Sequence, residues 1–155
     1  MLLTELLHPQ ILAAVAAAGH GGRILLADGH YPASTAVGPH AQRVYLNLAP
    51  GILDVSTVLD VLLRAVPVEA AAVMVPPAGE PEPAAIADHR RRLRGISLEE
   101  VERFAFYEEA RSADLALAVV TADTRTYANL LLTIGVRSIG PEPPQGATAG
   151  TGSDD

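Results

Sequence analysis

Three short, nearly unbroken apolar runs constrain this chain more than any other feature. They are Arg23–Asp28 (RILLAD), Ala70–Val75 (AAAVMV) and Leu115–Thr121 (LALAVVT). Each has strand length, and each lacks the apolar–polar alternation of a half-exposed strand, so each reads as a strand covered on both faces. Between them lie segments with helical signals. Pro9–Ala18 carries proline in its first turn and stops at Gly19. Asp54 can cap a helix running to Ala65, with Val55, Val58, Leu59 and Leu62 on one face. Ala84–Leu93 reads as a third helix, stopped by Gly95. Buried strands separated by helices imply an α/β fold, with helices on both faces of a largely parallel sheet.

The remaining segments are read as follows. Val44–Leu48 is expected as a strand closed by Pro50–Gly51. Ser97 and Glu100 fit a capping box, although the stretch from Val101 to Phe104 could equally be a short strand. Tyr127–Val136 fits helix or strand by periodicity, and its β-branched end favours strand there. Residues 138–155 hold glycine, proline, threonine, alanine and acid with little to bury, so a flexible tail is expected after one domain over 1–137. In layered α/β folds ligands gather at strand ends, which directs attention to 19–31, 76–80 and 121–129.

Composition narrows the function. The chain has 18 acidic and 11 basic residues, a net charge of −7, and no lysine, which argues against nucleic acid as a partner. Without cysteine there is no disulfide, no thiol nucleophile and no thiolate-ligated metal. No apolar stretch approaches the roughly 20 residues of a membrane span, and Glu5 stands where a signal peptide would carry positive charge. A soluble, cytoplasmic protein is expected. The hydrophobic share of 49% is high for a subunit of 155 residues and favours an oligomer.

Several polar residues stand where chemistry could use them. His20 sits among Gly19, Gly21 and Gly22, immediately before a strand. Asp28 ends that strand, and if the strand folds back beside the helix exit it could reach His20 and orient its imidazole; capping the next turn is the simpler role. His30 and His40 match no metal-binding spacing, and no metal is expected. Both phenylalanines fall in Arg103–Glu109, which suggests a core plug or a subunit contact. Tyr127 and Asn129 would share a face if extended, and a phenol beside an amide suits a polyhydroxylated ligand.

Together these stretches resemble the ribose pyranase/fucose mutarotase (RbsD/FucU) family, closer to its fucose mutarotase branch. The likeness rests on G19-H20-G21 with L26-A27-D28-G29-H30-Y31-P32-A33, on R103-F104-A105-F106-Y107-E108-E109-A110, and on T126-Y127-A128-N129 through V136. It covers about residues 3–137. It implies a three-layer α/β/α fold with a mixed, largely parallel sheet, and homo-oligomeric rings, typically decameric, with sites completed by neighbouring chains. It implies His20 as the catalytic histidine, Asp28 as its acidic partner, and Tyr127 with Asn129 as sugar-contacting residues, Tyr127 being the candidate third catalytic group that holds or exchanges the opposing proton. Asn129, Arg103, Tyr107 and His30 are then the candidate sugar contacts. Tyr107 stands where the ribose branch has histidine. Gly22 and Gly29 depart from the family pattern, which has an acid and an alanine there.

The implied activity is cofactor-free opening and reclosure of a monosaccharide hemiacetal, with L-fucose as the expected sugar. A base takes the anomeric hydroxyl proton while an acid protonates the ring oxygen, and a histidine titrates in the right range for such work. The competing expectations are a pyranase acting on D-ribose, a non-catalytic sugar-binding or regulatory protein, and a purely structural ring subunit.

Overall fold

A computed structural model describes residues 2–138. Its elements, in order, are α1 (Pro9–Ala18), β1 (Arg23–Ala27), β2 (Gln42–Tyr45), α2 (Val55–Leu63), β3 (Val68–Val75), α3 (Ala84–Arg92), β4 (Ser97–Glu102), α4 (Arg103–Ala110), β5 (Leu115–Val120) and β6 (Leu130–Ile134). The expected tail, apart from Ser138, lies outside the described residues.

The strands form one sheet in the order β2-β5-β1-β6-β3-β4. Every strand runs the same way except β6, which is antiparallel to both β1 and β3. The sheet is therefore mixed, as a covered sheet with one reversed inner strand must be. Alternate residues of β1 explain why its sequence is apolar throughout. Ile24 and Leu26 enter a core beneath α1, α2 and α3, whereas Leu25 and Ala27 enter a second core beneath α4 and the 31–41 segment. Ile24, Leu25 and Leu26 are fully buried, and burying a side chain of that size contributes about 1.5–3 kcal/mol. Three layers result.

Helix ends follow local chemistry. Asp54 Oδ1 accepts the Thr57 amide at 2.7 Å and starts α2, and Gly19 leaves α1 with φ +70°. Some boundaries differ from expectation. The second strand covers 42–45 rather than 44–48, because it pairs with β5 through Tyr45↔Val120 and the chain then turns away. Ser97 opens no helix: Ser97–Glu102 is an edge strand beside β3. Its last residue, Glu102, caps α4 by accepting the Phe104 and Ala105 amides. Tyr127 is not extended, having φ +59°, so strand alternation does not set its direction relative to Asn129.

Candidate functional site

The sheet order itself builds the site. β5 and β6 are the two neighbours of β1, so the 121–129 connection must cross over the C-terminal end of β1. Asp28 stands at that end. Its carboxylate is 3% exposed and is held by two donors: Asn129 Nδ2 to Oδ2 at 2.9 Å and the His30 amide to Oδ1 at 3.0 Å. Asn129 Oδ1 accepts the Asp28 amide at 2.9 Å, so the two residues lock reciprocally. Burial pushes the Asp28 carboxyl above its ordinary range, although the His30 amide opposes the shift.

A cavity of about 200 Å³ opens over this pair. Asp28, His30, Arg103, Tyr107, Tyr127 and Asn129 all line it, and Tyr31, Met74 and Thr126 complete the wall. The first turn of α4 supplies Arg103, whose Nε donates to the Tyr107 hydroxyl one turn later at 3.3 Å. Tyr31 meets the Tyr107 ring edge-on with centroids 5.5 Å apart, while its own hydroxyl donates to the Ala36 carbonyl at 2.6 Å. Two aromatic rings are thus fixed against each other on one side of the cavity. A carboxylate, an amide and a further phenol also line it. The volume lies below the roughly 300–1,000 Å³ usual for drug-sized ligands and suits one small polyhydroxylated molecule.

The crossing loop needs support, because a non-glycine residue with positive φ is strained. Arg125 provides much of it. Its guanidinium donates to Asp123 Oδ2 at 2.6 Å, to Ser56 Oγ at 3.0 Å and to Asp88 Oδ2 at 3.3 Å. Asp123 Oδ2 also accepts the Val55 amide at 3.1 Å, at the start of α2. Burial alone would raise Asp123, but the Arg125 hydrogen bonds prevail and hold its carboxyl below the ordinary range. His89 pins the loop from α3, its Nε2 lying 3.0 Å from the Ala128 carbonyl between Tyr127 and Asn129. Burial pushes the His89 pKa down, against the pull of that carbonyl, so the imidazole is neutral and donates through Nε2–H. Its buried Nδ1 has no hydrogen-bond partner among the described residues.

His20 is elsewhere. It precedes the N-terminal end of β1, and Arg23 to Asp28 alone spans roughly 16 Å of strand. Within one chain, then, Asp28 does not orient His20, because β1 runs away from the helix exit instead of folding back beside it. His20 Nε2 instead lies 3.2 Å from Glu69 Oε2. The imidazole is 58% exposed and borders an open concavity of about 790 Å³ at the opposite end of the sheet, together with His40 and Asp114. Among the described residues, no three His, Asp or Glu side chains gather as metal ligands would, and no helix is long and apolar enough to cross a membrane.

The sequence matches the RbsD / FucU transport protein family over residues 1–137. The chain belongs to that family. It is 32% identical to the fucose mutarotase of Mus musculus, covering 90% of this chain and 95% of the relative. The fucose mutarotase of Homo sapiens is 35% identical, covering 88% and 93%. Among solved structures, the fold superimposes on Streptococcus pneumoniae fucose mutarotase in complex with L-fucose with a TM-score of 0.72, at 23% identity over 84% of this chain and 94% of that one. Bacillus subtilis RbsD complexed with D-ribose gives 0.76 at 20% identity, over 89% and 100%.

As an RbsD/FucU protein, the chain brings part of each of its three motif stretches to one cavity. The Asp28–Tyr31 half of the first motif, α4 and the 126–129 stretch meet there, while His20 does not. Gly29 fits the crowding at this point: a Cβ there would sit 3.2 Å from the Asp123 carbonyl oxygen. Sequence reasoning missed Met74 as a wall residue, which looks like any core methionine, and missed the Ser56–Asp88–Arg125 lock, which no local pattern announces. Glu69 left one trace, as an acid near the start of an otherwise apolar strand.

Proposed function

We propose that this RbsD/FucU protein is a cofactor-independent mutarotase of a free monosaccharide, L-fucose before D-ribose. The carrying observation is the convergence of Asp28, Asn129, Tyr127, Arg103, Tyr107 and His30 on one small cavity, and the two mammalian relatives described as fucose mutarotases point the same way. The substrate order follows from the wall. A 6-deoxy sugar carries a methyl group, and Met74 with the Tyr31 and Tyr107 rings supplies apolar wall for it in the same cavity.

The reaction needs one proton removed and one supplied. As the anomeric O–H loses its proton to a base, C1=O forms and the C1–O5 bond breaks with its electron pair going to O5, which takes a proton from an acid. The open aldehyde rotates and recloses on its other face. Tyr127 hydroxyl donates toward one oxygen, Asn129 and Arg103 anchor hydroxyls, and His30 flanks the opening. Asp28, kept buried by Asn129, holds the amide in register and accepts from a sugar hydroxyl. His20 is the proton-transfer group, contributed by a neighbouring copy in a ring, typically a decamer. Exposed Tyr45, Leu48 and Phe104 give that contact apolar surface. A cytoplasmic location fits a cysteine-free enzyme working on free sugar.

Saturation-transfer NMR between the anomeric protons of L-fucose and of D-ribose tests this. Parent protein should speed exchange for fucose more than for ribose, and His20→Ala and Asn129→Leu should each lose it. Mixing these two variants before reassembly should recover exchange, since one intact composite site can form from two chains. Absence of exchange in the parent, or no recovery on mixing, would count against the reading.

A further inference from the structure

One residue bears on the sugar cavity without lining it. Tyr31, Met74 and Tyr107 of the wall pack in the core beneath α4, whereas α3 packs through Ala85 and Ile86 into the core on the other face of the sheet. Tyr127 packs against both cores. It holds φ +59°, a conformation that a non-glycine residue keeps only where its surroundings fix it. Consecutive residues of α3 bracket it. Asp88 Oδ2 accepts from Arg125 at 3.3 Å, two residues before the tyrosine. His89 Nε2 donates to the Ala128 carbonyl at 3.0 Å, one residue after it. That carbonyl takes no other hydrogen bond among the described residues. His89 is fully buried, with Nδ1 unpaired among the described residues. A position needing bulk alone would hold an apolar side chain, since a buried polar atom without a partner is costly. The bond to Ala128 is what the imidazole adds.

We propose that His89 is a positioning residue for the reaction, its Nε2–H fixing the Ala128 carbonyl and so aiming Tyr127 at the sugar. This rests on the reading of Tyr127 as the group that donates to a sugar oxygen. The two residues flanking Ala128 are held in different ways. Asn129 keeps its own reciprocal lock on Asp28, so its grip on a sugar hydroxyl does not depend on α3. Tyr127 has no such lock: its direction is set by the peptides on either side of it, and His89 holds the nearer carbonyl. Only one tautomer serves, because a lone pair on Nε2 would face the carbonyl oxygen with no hydrogen between them. Losing the bond therefore frees the phenol while leaving the amide in place, and turnover suffers before binding does.

Solid-state NMR of the full-length protein, with ring-15N histidine and ring-13C tyrosine, reads the contact and its consequence. His89→Gln and Tyr127→Phe assign the two signals. The parent should carry the His89 hydrogen on Nε2; a hydrogen on Nδ1 overturns the proposal, even where no apolar variant folds. His89→Leu should shift or broaden the Tyr127 signal and leave that of Tyr45, on the β2 edge, in place. His89→Gln, whose amide can donate to the same carbonyl, should keep it. In L-fucose anomer exchange, His89→Leu should lower kcat by about tenfold to a hundredfold, as for a misplaced reacting group, with KM within about twofold and most of the loss recovered in His89→Gln. Added to Tyr127→Phe, His89→Leu should lower exchange little further, since it acts through a group already gone. An unmoved Tyr127 signal in folded His89→Leu overturns the proposal whether or not the parent is active. A moved signal with unchanged kcat, or two losses that multiply in full, overturns the positioning role. A parent without exchange defeats the assignment of the reaction instead, and the two spectra still decide whether His89 holds Tyr127.

Discussion

Arg125→Met tests how the crossing loop is held. The guanidinium is one-third exposed and links Asp123, which is 2% exposed, to Asp88 and Ser56. Removing one partner of a buried ion pair costs about 3–5 kcal/mol, because the other charge is left without compensation. Two features reduce that figure here. Water reaches the Arg125 side of the lock, and Asp123 keeps the backbone amides of Val55 and Arg125, at 3.1 and 3.0 Å. A loss of about 2–3 kcal/mol remains, or roughly 7–10 °C in melting temperature for a domain of this size.

The pH dependence separates this account from a simple packing loss. Asp123 and Asp88 are both held below the ordinary carboxylate range against burial, Asp123 by its Arg125 bonds and Asp88 by hydrogen bonds from Ser56 and Arg92 ahead of Arg125. A carboxylate depressed in the folded state stabilises above its unfolded value and loses that contribution as pH falls through the folded one. Urea denaturation of the parent and of Arg125→Met should therefore show a gap that is constant from pH 8 to about 5 and shrinks below about pH 4. A gap equally wide at pH 3 and pH 7 would refute the electrostatic argument. Loss of anomer exchange should accompany the variant even where it is folded, since Tyr127 depends on the same loop.

Other outcomes follow from single contacts. Gly38→Ala should destabilise by about 1–3 kcal/mol in denaturant melts, because its Cβ would fall 2.3 Å from the Ser112 carbonyl oxygen and 3.2 Å from Leu115 Cβ. His89→Leu removes the donor to the Ala128 carbonyl and should cost about 1–3 kcal/mol at neutral pH. Because the His89 pKa is lowered on folding, the unfolded chain binds the extra proton below about pH 6.5, and parental stability falls with acid there; the variant should lose that slope. Asn129→Leu should abolish exchange and destabilise by roughly 2–4 kcal/mol in the same melts, since it strips the buried Asp28 of one donor and one acceptor.

The strands were legible because burial on both faces leaves a compositional trace: Ile24–Ala27 and Leu115–Val120 are apolar whichever way each side chain points. Edges left less. Ser97–Glu102 alternates weakly and carries three glutamates, so its capping-box pattern competed with strand pairing that only β3 could supply. The reversed direction of β6 has no local signal at all, since Leu130–Ile134 would look the same parallel. Site residues were found by type and motif, but their mutual placement was not. Asp28 was matched with His20 on the family likeness and on the supposition that the strand folds back beside the helix exit, whereas a straight β1 turns the residues between them into a distance.

That distance decides what kind of machine the chain can be. A straight strand carries its two termini to opposite ends of the sheet, so a histidine before β1 and a carboxylate after it do not share one cavity in one subunit. The reversed β6 sharpens the division. Its start delivers Asn129 to Asp28, and its end delivers Ile134 and Gly135 to the His20 loop, so one strand braces both ends of β1. Each half already has its own carboxylate, Asp28 held by Asn129 at one edge and Glu69 facing His20 at the other. Chemistry that joins them requires the edge of one copy to meet the opposite edge of the next, a head-to-tail contact that closes into a ring or continues without end. Activity should therefore fall with dilution below the assembly threshold. Sedimentation velocity and anomer exchange, followed over the same concentration series, should lose large species and rate together; full activity in a dispersed monomer would show that His20 takes no part.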